Sequence, residues 1–509
     1  MNVTKRLLSL LLAVITLFSF AACSSDAADS TDTGKKETTA ADTTAPVEKD
    51  EIFYEPDSLP ENLNFDGAEI MILSASEYNP EGEKDTLPEI TVEELTSDII
   101  NDSIYNRELY VEERLGVEIG NYQVNIAKVD DEINKQYNAG DDTFDIFVHS
   151  AHILSNHIFD GYLLDLYEVD HLDFSKPWWS QKFSRAAELQ GALHVATGSL
   201  ALTLSRNIYG IFYNKTLAEN YSDKIPELGD LYSLVESGKW TFDTCVSLSG
   251  DIYEDINGDS EFDIGDEYGI YYPTYIPTDC IWSGFDIKVF SRTDDGWYEL
   301  NVNTDKAFTA LDKLYKLLFE TKGNLAAGGF ENDPYAAAEY FADGHILFTI
   351  DRLGAIEWPY LRNMQDDYGI LPYPKFDENQ KEYYSFAHER YSAFAIPASN
   401  PNPEIAGAVL EAMASYAYRD TEPAFLDTAL KGKYMTDAKS RYMLDVLIDG
   451  FMIDAAWLYI DSLGKGYLTS YREMLEAKQT SFATNHQKKA KMVEIALKAY
   501  REVYDRMYP

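Results

Sequence analysis

Cysteine is scarce, with three in 509 residues, at positions 23, 245 and 280. Once Cys23 is assigned to an export signal, Cys245 and Cys280 remain. Two thiols are too few for the disulfide framework of small secreted folds, and no spacing compels them to pair. Positive charge is also short: 42 basic against 87 acidic residues give 42 − 87 = −45. A polyanion would be repelled, which excludes nucleic acid as a natural partner. The chain has no H-E-x-x-H, no G-x-S-x-G and no G-x-x-x-x-G-K-[ST], so the commonest metalloprotease, serine hydrolase and nucleotide-binding readings fall away. A glycan-active enzyme needs only two carboxylates at a set separation, and with 87 acids such a pair arises by chance. The acid count therefore decides nothing about that alternative.

What is present begins with an address. Lys5 and Arg6 precede an apolar run from Leu7 to Ala22, broken only by Ser9, Thr16 and Ser19. It is too short to span a bilayer comfortably, and residues 1–22 read as a signal peptide. The run ends F-A-A-C, which resembles the lipobox of bacterial lipoproteins and makes Cys23 the expected acylated N-terminus. Several acyl chains hold a protein stably at a membrane, so the expected place is the extracellular face of a bacterial cell membrane, lipid-anchored. Residues 23–55 form the lipidated N-terminus and linker. From Ser24 to Asp50 there is no aromatic residue, and Val47 is the only large aliphatic one. Such a segment buries too little to order itself and reaches on the order of 30 Å.

The remainder is rich in aromatic residues and long enough for two lobes. Ala68 to Ser74 reads as a strand, Val92 to Gly116 as an amphipathic helix ending at glycine, and Phe144 to Val148 as a further strand. Alternation of strands and helices at this interval predicts a mixed, largely parallel α/β sheet. Farther on, Asp255, Asn257, Asp259, Glu261 through its carbonyl, Asp263 and Asp266 fall at the spacing of oxygen ligands in a calcium loop. Ser260 stands where such loops favour Gly, and the short Asp266 holds the twelfth place. The competing reading is a simple acidic turn in an acidic chain.

In order along the chain come F-D-I-F-V, G-Y-L-L-D-L-Y, G-A-L-H-V-A-T-G, Y-G-I-F-Y-N-K-T-L, W-T-F-D, D-E-Y-G-I, F-A-D-G-H-I-L-F, Y-G-I-L-P-Y-P-K and S-A-F-A-I-P. Their order, over about residues 65–418, resembles the extracellular solute-binding proteins of bacterial ABC importers, of the maltose-binding-protein type. The resemblance implies an α/β, two-lobed, type II periplasmic-binding-protein-like fold with an interlobe cleft and a helical C-terminal region. It places lobe one at 56–202, lobe two at 203–371, a return to lobe one at 372–420, and C-terminal helices at 421–509 mostly on lobe two. The crossings are expected near 196–206 and 371–376. The implied protein is a monomer that captures an oligosaccharide or related sugar and delivers it to a membrane permease without catalysis; a binder of a non-sugar solute is the other reading.

Sugars need aromatic plates and bidentate polar groups on loops at strand carboxyl ends. The ligand candidates are therefore Glu77 and Tyr78 after the first strand, His149 and Ser150 after the third, Arg206 and Asn207 in the crossing, Tyr272 and Trp282, and Asp351 with Arg352. Trp282 is the expected stacking plate. Arg206 reads equally as a hinge salt-bridge partner, and His388, Glu389 and Arg390 read as a solvated turn in preference to a cleft wall. His149, His152 and His157 raise a minor metal-import reading. Within lobe two the acidic loop is expected to hold a structural Ca2+ as a clamp beside the cleft wall.

Overall fold

The structure is a computed structural model that describes residues 56–76, 89–325, 334–430 and 438–508. The expected signal peptide, Cys23 and linker, and the candidates Glu77 and Tyr78, lie outside the described residues.

Lobe one is built on β1 (Ala68–Ser76), which pairs in parallel with β2 (Val117–Asn125) on one side and β3 (Ile146–Ser150) on the other. An antiparallel fourth strand, β11 (Ser392–Ala395), returns from late in the chain to the far side of β3. The helix Ile99–Leu115 joins β1 to β2. Asp98 starts it by accepting hydrogen bonds from the backbone of Ile100 and Asn101, and Gly116 ends it in the left-handed conformation that only glycine adopts cheaply. Ile100, Ile104, Val111 and Leu115 form its buried stripe.

Lobe two carries a five-stranded sheet of β4 (Tyr209–Asn214), β5 (Tyr253–Glu254), β6 (Glu267–Tyr271), β9 (Ile346–Arg352) and β10 (Tyr368–Leu371), in the order β10-β4-β9-β6-β5. Only β6 and β9 run parallel. Every residue of β4 is buried, as expected of a central strand covered on both faces. A two-stranded hairpin, β7 (Phe290–Arg292) and β8 (Tyr298–Leu300), stands apart from both sheets.

The chain passes between lobes through the short helix Leu202–Arg206 and comes back beside itself. Ile208 pairs with Ala387; Tyr209 N donates to Phe386 O (2.9 Å) and His388 N to Asn207 O (2.8 Å). The return thus lies at 386–391, later than the expected 371–376. The physical reason is that 372–376 is still fastened to lobe two: Trp240 Nε1 donates to Pro372 O at 2.8 Å, the Tyr373 hydroxyl lies 2.9 Å from that of Tyr272, and Lys375 pairs with Thr241.

The C-terminal helices do not keep to lobe two. Helix Phe482–Met507 accepts Trp297 Nε1 at Leu497 O (3.1 Å), while its Tyr504 hydroxyl donates to Leu189 O (3.0 Å) of lobe one. Tyr508, just beyond it, donates to Leu163 O (3.1 Å). The β7–β8 hairpin also reaches lobe one, through Arg292 Nη1 to Glu188 O (2.9 Å) and Gln190 N to Gly296 O (3.1 Å). Cys245 and Cys280 are buried free thiols, and burial pushes Cys245 up to about 12. No helix among the described residues is long and apolar enough to cross a membrane.

Candidate functional site

Open α/β sheets present their ligand loops at the carboxyl ends of parallel strands. In lobe one those ends are finished with hydroxyls around one acid. Glu89 accepts from Thr203 N (2.8 Å), Thr203 Oγ1 (2.7 Å) and Ser392 Oγ (2.6 Å), and Ser392 N donates back to Thr203 Oγ1 (2.9 Å). A crevice continuous with solvent is bounded by this network together with Ser74, Gln123, Ser150 and Arg390.

In lobe two, β6 and β9 end at Tyr271 and Arg352, and charge replaces the hydroxyls. Asp351 accepts from Arg352 N at 2.7 Å, and its carboxyl is pushed up to about 6 by burial, with the Arg352 charge opposing. The Arg352 guanidinium lies 5.2 Å above the Trp358 ring and reaches Asn207 Oδ1 at 3.4 Å. The turn Ile276–Asp279 follows β6, with Tyr275 hydrogen-bonded to Tyr271. Asp279 itself is fully buried and sits 2.5 Å from Arg472, which also lies 3.7 Å from Glu389. Burial pushes Asp279 up to about 8 despite that arginine. On the return segment, His388 is held well below its ordinary value by burial, then by Arg352, Arg390 and Arg472. His152 Nδ1 lies 3.1 Å from Glu389 O. A small crevice is bounded here by His152, Phe386, Glu389, Tyr391 and Trp457. Buried carboxylates, forked guanidinium groups and aromatic faces thus meet at the crossing, a set suited to a neutral polyhydroxylated ligand.

No protein-family model matches the sequence, and no curated protein matches it. Solved structures do. A cyclo/maltodextrin-binding protein complexed with maltotetraose is similar with a TM-score of 0.53 at 12% identity, covering 86% of this chain and 97% of the other. An ABC substrate-binding protein from Listeria monocytogenes in complex with cycloalternan gives 0.50 at 11% identity, over 87% of this chain and 98% of the other. The chain has the two-lobed solute-binding fold.

Within this solute-binding fold the candidates separate. Ser150, Asn207, Asp351 and Arg352 are brought to the crossing or to the openings beside it. Arg206 is at the crossing too, but its guanidinium grips Glu357 in a buried two-point ion pair (2.8 and 3.2 Å) and covers Phe425, which is the hinge-partner reading. Three ligand expectations are corrected. His149 lies on the opposite face of β3 from Ser150, because successive strand side chains alternate; it is 1% exposed and 4.0 Å from Asp130. Burial holds its pKa down at about 4, against the pull of Asp130. Tyr272 is core, its hydroxyl shared with Tyr373 and donated to Pro277 O. Trp282 is core as well: it is 1% exposed, donates to Leu468 O at 2.9 Å and stacks on Tyr471 at 4.1 Å. Both were drawn inward because the C-terminal helices and the 372–376 segment cover them. The metal-import histidines diverge, His157 joining His149 at Asp130 while His152 faces Glu389.

Sequence reasoning missed Glu89, Asp279 and Arg472, and placed His388 to Arg390 in a solvated turn. Nothing in the local pattern marks Arg472, whose partner comes from a distant part of the chain; Asp279, following the T-Y-I-P-T turn beyond a strand, was open to the strand-end argument.

Among the described residues no three His, Cys, Asp or Glu side chains form a ready-made metal cage. In the acidic loop, Asp255 accepts from Gly258 N (2.7 Å) and Ser260 N (3.0 Å), Asn257 from Asp259 N (2.9 Å), Asp259 from Glu261 N (2.8 Å) and Asp263 from Gly265 N (2.7 Å). These carboxylates cap the loop's own turns.

Proposed function

We propose that the protein is the solute-capturing lipoprotein of a bacterial ABC importer, closing on an oligosaccharide or related sugar and handing it to a membrane permease. The observation that carries this reading is the convergence of both sheets' strand ends on the paired crossing segments, where Asp351, Arg352, Asp279 and Arg472 meet Tyr275 and Trp358. Two-point donors and acceptors match vicinal hydroxyls, and ring faces match the apolar faces of sugars. The two solved structures of this fold described above are complexes with maltotetraose and cycloalternan, which supports the same ligand class. Capture is a population shift: the ligand stabilises the closed arrangement and no bond is broken. The protein acts as a monomer outside the cell, with acylated Cys23 as its anchor.

A thermal-shift screen of the purified chain over a glycan panel, followed by calorimetry and product analysis, tests the reading. A sugar that raises the melting temperature and is recovered intact supports it. Cleavage of the sugar establishes the glycan-active alternative, and binding of only peptides or polyamines overturns the carbohydrate assignment. Incorporation of labelled palmitate that disappears in Cys23→Ser tests the anchor.

A further inference from the structure

We infer that the loop between β5 and β6 is a calcium site completed by the buried carboxylate of Asp266. The liganding pattern, Asp255, Asn257, Asp259, the Glu261 carbonyl and Asp266, is one observation. The independent one is Asp266 itself. It is 0% exposed, and while its Oδ2 accepts the Tyr253 hydroxyl at 2.8 Å, its Oδ1 has no hydrogen-bond partner. A carboxylate oxygen removed from water needs a donor or a cation, because the charge is otherwise uncompensated.

Asp266 is aimed into the loop. The same Tyr253 hydroxyl that meets its Oδ2 also donates to Glu261 O at 3.1 Å, so the seventh-position carbonyl and the twelfth-position carboxylate flank one hydroxyl. Of the remaining ligands, Asn257 and Asp259 are exposed and Asp255 is half-buried. Their bonds to loop N–H groups use one lone pair per oxygen and leave another for a cation. Every donor is oxygen, with no His or Cys in the loop, which selects a hard cation; a flexible ring of carboxylates and a carbonyl suits Ca2+ better than the rigid octahedron of Mg2+.

The cation would staple the edge of the lobe-two sheet. β5 pairs with β6 through Tyr253 and Tyr268, and β6 runs parallel to β9, whose end carries Asp351 and Arg352. The Tyr340 hydroxyl donates to Asp266 O and the Tyr268 hydroxyl to Asp263 O (2.7 Å), fixing the loop's closing end from below.

The test uses the full purified chain with calcium chloride alone, read by calorimetry and thermal unfolding, and with terbium, whose emission the adjoining Tyr253 and Tyr268 would sensitise. One calcium per chain, a melting temperature that rises with calcium and falls with chelator, and tyrosine-sensitised terbium emission displaced by calcium are expected. The double variant Asp255→Ala/Asp259→Ala, compared with its own calcium-free melting temperature because both side chains also cap loop turns, should lose at least about tenfold in calcium affinity. Asp266→Asn, which keeps the shape and the Tyr253 contact, should abolish the calcium-dependent rise. Absence of binding at millimolar calcium, wild-type affinity in the double variant, or equal stabilisation by magnesium overturns the assignment.

Discussion

At the strand ends of lobe one, Thr203 and Ser392 donate three hydrogen bonds to Glu89, whereas at those of lobe two Asp279 and Asp351 are acids whose protons burial holds to about pH 8 and about pH 6. The first arrangement is a finished platform that gains little from a ligand. The second holds carboxylates short of donors, and a ligand hydroxyl supplies what they lack. On the proposed reading, discrimination among ligands belongs chiefly to lobe two, with lobe one closing against it.

The largest expected effect strips the lobe-two pair. Above about pH 8, where Asp279 is ionised, Arg472→Ala leaves that buried carboxylate beside no cation of its own and should cost about 3–5 kcal/mol in urea unfolding; a loss as small as that of a surface change would break the contrast. Next comes acid. His149 has a native pKa of about 4 against an ordinary value near 6.5, so the unfolded chain takes up its proton first as pH falls. Its contribution to stability is intact above about pH 6.5 and is lost progressively down to about pH 4, by about 3 kcal/mol. His149→Gln should flatten that limb, measured as unfolding midpoints across pH, and leave sugar affinity unchanged, since the ring is turned away from the crossing. Asp351→Asn should weaken sugar binding at least tenfold, about 1.4 kcal/mol, by calorimetry, whereas Ser150→Ala should change it much less. The smallest is Thr203→Val, which removes one hydroxyl from the Glu89 network and should cost about 1 kcal/mol of stability.

The alternation of strands and helices in lobe one was legible because burial writes a period into the sequence. Which face of β3 looks toward the crossing was not, since His149 and Ser150 are neighbours and only packing tells the two sides apart. Trp282 satisfied every local criterion for a sugar plate, and its burial depends on Tyr471, Leu468 and Phe482, nearly two hundred residues later. Arg472 was invisible for the same reason: its helix, Ser470–Glu476, has no local mark of a binding element, and its meaning comes from Asp279. The resemblance implied a crossing at 371–376, while the bonds that keep 372–376 on lobe two belong to Trp240 and Tyr272.

The β7–β8 hairpin and the terminal helix give the halves two fastenings besides the paired crossings. A jaw swinging freely on its crossings alone would have to tear Arg292 from Glu188, Gln190 from Gly296 and Tyr504 from Leu189. What these bonds leave available is a shallow twist, so under the proposed function a ligand would enter by a change in the width of a slot, and the molecule's outline in solution should differ little between its empty and loaded forms.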